Sequence, residues 1–244
     1  MYRIPLALVL AAAQPPEAPA RAAIGWTASG SGGAVAAGHA DAVAAGIRLL
    51  KQGGNAADAA AATLFALAVT DYGMFAIGGE VPLLIYDANR REVKSLSGVG
   101  RAPLDPQAIA WLYAHGIPSK GSMKAAPAPG AVDLCITLLR LYGTRSYAEA
   151  VAPTLELLDA HAKPWHADLA VTLRKLAEAE RLALGTREEK LVAARDRFYR
   201  GDVADELDAW YKQVGAFLRK RDLEAHRTLV EDPVSIDYRG YTIY

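Results

Sequence analysis

Residues 39–60 read HADAVAAGIRLLKQGGNAADAA, a stretch that starts one helix, stops it and opens another. Asp41 stands where an N-cap belongs, and Val43, Ile47 and Leu50 follow at helical spacing. Gly53 and Gly54 stop that helix, because glycine tolerates the left-handed conformation used at C-terminal caps. The segment Asn55-Ala56-Ala57-Asp58 then matches a capping box with a shortened acidic partner, opening an alanine-rich run over 59–69. So many alanines permit close backbone approach, so the second helix is expected to lie tight against another layer.

Working outward, residues 34–37 are small and apolar and are expected to form a buried strand ending near His39. Further upstream, Arg3 precedes an apolar run over 4–13 and then small residues including Ala18-Pro19-Ala20. That order predicts a secretory signal and tail over 1–20, with cleavage after Ala13 or Ala20 and a periplasmic or secreted location. The alternative is a Pro-rich N-terminal tail. The run is too short to span a bilayer, which needs about 20 apolar residues, so no membrane association is expected.

Downstream, the glycine-rich segment between Tyr72 and Glu80 leads into a continuous apolar run over 81–86, suited to a buried strand. Turn residues Asp87-Ala88-Asn89-Arg90 and an alternating stretch over 92–96 make this a hairpin. Asp105-Pro106 signals a helix start that Gly116 closes, and a second helix carrying Val132, Ile136 and Leu139 ends at Gly143. Capping boxes at Ser146 to Glu149 and Thr186 to Glu189 open further helices. A second hairpin is expected over 234–244, turning at Arg239-Gly240; its short aromatic last strand lacks a sheet neighbour, so the chain reads as part of a larger product.

With 27 Lys plus Arg against 27 Asp plus Glu, no net field favours nucleic acid. A single cysteine, Cys135, excludes an intrachain disulfide and multi-cysteine metal sites, and five scattered histidines supply no metal-ligand spacing. No metal and no cofactor are expected. Cys135 sits in an apolar helical stretch and reads as a small buried hydrophobe. His161 and His166 flank Trp165 and read as surface or packing residues, while Ser29 and Ser31 lack the context of a nucleophile elbow. Arg101 leaves the second strand of the hairpin on the glycine-loosened loop SGVGRAP (97–103), where a guanidinium can hold a carboxylate bidentately; the plain alternative is a solvated arginine.

Seven segments in order, HADAVAAGIRLLKQGGNAADAA at 39–60, AIGGEVPLLIYD at 76–87, GRAP at 100–103, PAPGAVDLCITLLRLYG at 127–143, RFYRGDVADEL at 197–207, KRDLEAHR at 220–227 and VSIDYRGYTIY at 234–244, resemble the gamma-glutamyltransferase family. The resemblance implies an α/β (α+β) chain forming the large-subunit part of an αββα N-terminal nucleophile hydrolase sandwich, over residues 21–244. In that family a precursor cleaves itself before a threonine, and the freed threonine attacks a gamma-glutamyl amide with its own α-amine as base. No threonine over 186–244 stands in the family's Thr-x-His context, so no catalytic residue is expected in this chain. The implied partners are a small-subunit portion carrying the threonine and a small-molecule gamma-glutamyl or related amide substrate.

Two departures bear on the substrate. In gamma-glutamyl-transferring relatives an arginine gripping the glutamyl carboxylate falls where Val99 stands here, and Arg101 is displaced by two residues, a form that resembles the acylase and amidohydrolase branches. Glu80 brings a carboxylate where the family has more glycine. Arg101 is the local candidate for contact with a substrate carboxylate. Two alternatives stay open: an inactive truncated or split homologue serving as scaffold or binding subunit, and part of a small-dicarboxylate monoamide amidase or beta-lactam acylase.

Overall fold

The computed structural model describes residues 28–118, 121–160 and 163–244. The proposed leader over 1–20, and His161, lie outside them. Residues 1–31 and 32–244 form separate units, and every helix and strand described belongs to the second.

Helices α1 (Ala40–Lys51) and α2 (Ala56–Thr70) come first, then the hairpin of β1 (Val81–Asp87) and β2 (Glu92–Gly98). The helices α3 (Pro106–His115), α4 (Ala131–Tyr142), α5 (Tyr147–Ala160), α6 (Pro164–Leu182), α7 (Arg187–Tyr199), α8 (Asp202–Gln213) and α9 (Lys220–Ala225) follow. Three short strands close the order: β3 (Leu229–Glu231), β4 (Ile236–Tyr238) and β5 (Tyr241–Ile243). This is the mixed α+β arrangement the sequence implies.

The three capping boxes hold. Asn55 and Asp58 form a reciprocal box at α2, and Thr186 with Glu189 does the same at α7. Ser146 and Glu149 exchange bonds at the start of α5. At α1 the cap lies two residues earlier than expected: His39 Nδ1 accepts from the Asp41 N–H at 3.2 Å, placing Asp41 in the first turn. The buried face of α1 is Ala42, Ala45, Gly46 and Leu49, not Val43, Ile47 and Leu50. The reason is the closeness of α2: a Cβ on Gly46 would stand 2.3 Å from Thr63 Oγ1, so only small residues fit there.

Helix α4 forms the centre. All nine residues from Ala131 to Leu139 are buried, as expected of a helix that neighbours surround. The helices α2 and α7 and the hairpin pack against it. Strands β1 and β2 run antiparallel from Val81 opposite Gly98 to Asp87 opposite Glu92, and β3 adds to the other edge of β2 with Leu96 opposite Val230. Strand β1 alternates instead of being buried on both faces: Val81, Leu83 and Ile85 turn to the core, while Leu84 and Tyr86 are 53% and 62% exposed. Residues 34–37 are irregular and at most half-buried, because their backbone finds no strand partner among the described residues. The second hairpin, β4 with β5, forms as expected, pairing Ile236 with Ile243 and Tyr238 with Tyr241.

Candidate functional site

Three loops converge at the N-terminus of α4. The first, Gly78-Gly79-Glu80, enters β1; Gly79 O accepts from the N–H groups of Gly130 and Ala131 at 3.0 and 2.9 Å, so an upstream carbonyl occupies two of the four N–H groups that a helix start leaves open. The second loop leaves β2 through Gly98, Val99 and Gly100 to Arg101. Its Gly100 N–H donates to Glu80 Oε1 at 2.6 Å, and Arg101 O accepts from the Ala128 N–H at 3.0 Å. The third loop, 126–130, delivers the chain into α4.

Glycine is required where these backbones touch. A Cβ on Gly100 would sit 2.1 Å from Ala128 O, and one on Gly130 would sit 1.9 Å from Gly98 O. Both distances are far inside van der Waals contact, so the loops interlock through bare backbone. Below the junction, Tyr199 O–H donates to Pro129 O at 2.7 Å and its oxygen accepts from the Asp133 N–H at 3.1 Å. Farther along, the Leu104 N–H donates to Asp222 Oδ1 at 2.8 Å, and Asp222 Oδ2 accepts from the Arg219 N–H at 2.7 Å. The loop carrying Arg101 is therefore fixed at Gly100, at its own carbonyl and at Leu104.

Arg101 itself is exposed and makes no side-chain hydrogen bond or ion pair among the described residues. The hydrogen bonds of this loop fix its backbone and leave the guanidinium in solvent; a guanidinium is chemically able to take a carboxylate bidentately. Nearby, His226 is fully buried, stacked on the Tyr199 ring with centroids 5.5 Å apart. Burial first, and then the positive charges of Arg195, Arg101 and Arg227, hold its imidazole below the ordinary histidine value, with Asp133 opposing them. Arg195 Nε pairs with Asp133 Oδ1, and Arg195 Nη2 donates to His226 O at 2.6 Å.

None of the remaining sequence candidates takes part in the hydrogen bonds just described. Cys135 is buried in α4, and burial pushes its thiol well above the ordinary value, so it is an inert hydrophobe. His166 is buried and in edge contact with Trp165, a packing residue. Ser29 and Ser31 are exposed in irregular chain. Among the described residues no cluster of His, Cys, Asp and Glu is arranged to hold a metal. The sequence reading missed the roles of Tyr199, Asp222 and His226, although RFYRGD and KRDLEAHR contain them; a buried tyrosine hydroxyl between two backbone groups leaves no local signature.

Comparison with known proteins finds relatives in sequence and in structure. The sequence profile of the family described as Gamma-glutamyltranspeptidase matches residues 42–160 and 160–244. The chain is 30% identical over 226 residues to the Glutathione hydrolase-like YwrD proenzyme of Bacillus subtilis (strain 168), covering 82% of this chain and 43% of that protein. It is 29% identical over 254 residues to the Acylase ACY 1 proenzyme of Pseudomonas sp. (strain SE83), covering 88% of this chain and 45% of that one. The chain thus spans less than half the length of either curated relative. The crystal structure of Helicobacter pylori gamma-glutamyltranspeptidase superposes with a TM-score of 0.71 at 26% identity, over 89% of this chain and 70% of that one.

Proposed function

Because the chain belongs to the gamma-glutamyltranspeptidase family, we propose that it is the large-subunit portion of an exported amidohydrolase whose attacking threonine lies outside these residues. The substrate is a small amide whose acyl part carries a free carboxylate. The threonine hydroxyl adds to the amide carbonyl while its own α-amine takes the proton. The C–N bond then breaks, the amine leaves with a proton, and the acyl-enzyme ester passes to water or to an acceptor amine. Arg101 contributes by holding the substrate carboxylate, which orients the amide for attack.

What supports this reading is the unpaired Arg101 guanidinium on a loop fixed by the Glu80 to Gly100 hydrogen bond. The GRAP form, with Val99 two residues earlier, favours an acylase-like or dicarboxylate-monoamide substrate over a strict gamma-glutamyl donor. The exposed face of β1, with Leu84 and Tyr86, and the exposed strands β4 and β5 are the surfaces we assign to the threonine-bearing portion. Export rests on the pattern over 1–20; among the described residues no helix is long and apolar enough to cross a membrane. N-terminal sequencing of protein recovered from the periplasm would locate the cleavage after Ala13 or Ala20, and an intact Met1 there would remove the signal.

The test of the site is Arg101→Ala in the protein as its gene encodes it, assayed on glutathione, a glutaryl-bearing beta-lactam and a dicarboxylate monoamide. Loss of a bidentate carboxylate contact should raise KM for the preferred substrate about tenfold or more, with kcat changed less and the melting temperature unmoved. Arg101→Lys should recover part of the loss. An unchanged KM on every carboxylate-bearing substrate removes Arg101 from the site. A second reading is an inert scaffold or binding subunit. Amide turnover by the protein purified from its native source excludes it.

A further inference from the structure

A cavity of about 170 Å³ lies beside α4 and α7, walled also by Arg227 and Thr228 ahead of β3. Arg101 does not line it, and the reaction proposed above makes no use of it. Its wall holds four arginines, Arg140, Arg195, Arg200 and Arg227, against two aspartates, Asp133 and Asp196. Both aspartates are already engaged. Asp133 accepts from Arg195 Nε and from the Thr228 N–H, and Asp196 accepts from Arg195 at 2.9 Å and from Arg200 at 3.4 Å. Glu188 forms an ion pair with Arg140 at 3.8 Å from Nε, longer than a hydrogen bond.

Cationic donors are therefore in excess. The atoms Arg140 Nε and Thr228 Oγ1 are buried with no hydrogen-bond partner among the described residues. Arg227, an exposed residue, donates among the described residues to the carbonyls of Glu224 and His226 and to no carboxylate. Burial and the neighbouring charges of Arg195 and Arg200 push the Arg227 guanidinium below its ordinary value, with Asp133 and Asp196 opposing them. Buried donors left without acceptors are costly, and an ion with several acceptor oxygens relieves both the charge and the missing bonds at once. The volume suits one such ion with a few waters; a water takes about 30 Å³.

We propose that this cavity binds a single small oxyanion, of the phosphate, sulfate or carboxylate type, through Arg140, Arg227 and the Thr228 hydroxyl. The site stands independently of the amidohydrolase reading, since it uses none of the same side chains. Titration calorimetry on the full chain, dialysed into anion-poor buffer, measures it with inorganic phosphate, sulfate and acetate in separate arms and chloride as reference. Saturable binding of one ion per chain is expected, with Kd below about 1 mM for at least one oxyanion and at least tenfold weakening in the Arg140→Gln/Arg227→Gln double variant. The arm that binds most tightly tells a tetrahedral ion from a carboxylate. Should the double variant misfold, Thr228→Val removes one donor without changing charge and should weaken binding several-fold.

Thermal melts supply the second readout, because sulfate and phosphate also stabilise proteins generally by exclusion from their surface. A saturable rise in melting temperature at low millimolar anion, lost in the variants, supports the site. Equal rises in wild type and variants, or no saturable heat with any of the three oxyanions, overturn it.

Discussion

The helical layer and the terminal strands of this molecule satisfy their backbones in opposite ways. Among the helices, carboxylates reach across the fold to close one another's open ends. Glu180 of α6 accepts from the Tyr147 and Ala148 N–H groups at 2.7 and 2.8 Å, capping α5 from outside. Asp58 of α2 accepts from the N–H groups of Asn55, Thr144 and Arg145 and from the Thr144 hydroxyl, all within 2.9 Å. By contrast β4 and β5 pair only with each other among the described strands, and Ile236, Tyr238, Tyr241 and Ile243 are exposed along them. The difference teaches that the helical layer carries its stability internally, whereas the strands present apolar surface and open edges to whatever covers them.

The most severe break of that contrast is Asp58→Ala. The side chain is fully buried and four donors depend on it. Removing it leaves those donors without an acceptor inside the α2, α4 and α5 junction, and the expected loss is about 3 to 5 kcal/mol in unfolding free energy. Urea unfolding followed by far-ultraviolet circular dichroism measures this. A loss below about 1 kcal/mol would mean that the helical layer does not depend on its crossing carboxylates.

A smaller effect sharpens the boundary between the layer and the loop junction. His226 is buried against Tyr199 and faces Asp133 on α4, Arg195 on α7, Arg101 on the loop after β2, and the adjacent Arg227. Its folded-state value is lowered from 6.5, so below that pH the unfolded chain takes up more protons than the folded one. Stability is therefore present above about 6.5 and falls as the pH drops toward the folded value. Between pH 7.5 and 5.5 the contribution of this residue is bounded at about 1.4 kcal/mol. His226→Phe keeps the stack and removes the titration, so the pH dependence of its melting temperature should be flatter than in the wild type across that interval. Parallel pH profiles for the two proteins would show that His226 is not held neutral by its surroundings.

Local capping was legible in the sequence because a box closes within three residues: Asn55 with Asp58, Ser146 with Glu149, Thr186 with Glu189. The loop position of Arg101 was legible for the same reason, since glycines and a strand end are neighbours in the chain. What could not be read were pairings at long separation. Asp58 meets Thr144 across 86 residues, Asp133 meets Arg195 across 62, and Glu80 meets Gly100 across 20. Nothing in Asp58 distinguishes a helix cap from a carboxylate that also holds a distant loop, because the cap uses only part of its acceptor capacity. Residues 34–37 failed for a related reason: small apolar side chains suit a strand, but a strand exists only where a neighbour offers its backbone.

The smallest effect is expected on the terminal strands, from Tyr241→Ser with Ile243→Asn. Both residues are exposed, 76% and 51%, so their burial contributes little to this chain and the substitutions should change its unfolding free energy by less than about 0.5 kcal/mol each. Their consequence should lie in association instead. Exposed aromatic and β-branched residues on a short open hairpin favour contact with other chains, and replacing them with polar residues lowers that tendency. Light scattering of the variant and the wild type at matched concentration should therefore diverge while their melting curves coincide. If the melting temperature fell as far as it does for Asp58→Ala, the hairpin would belong to the same locked unit as the helices, and the surfaces assigned to a threonine-bearing portion would have to be sought elsewhere on the fold.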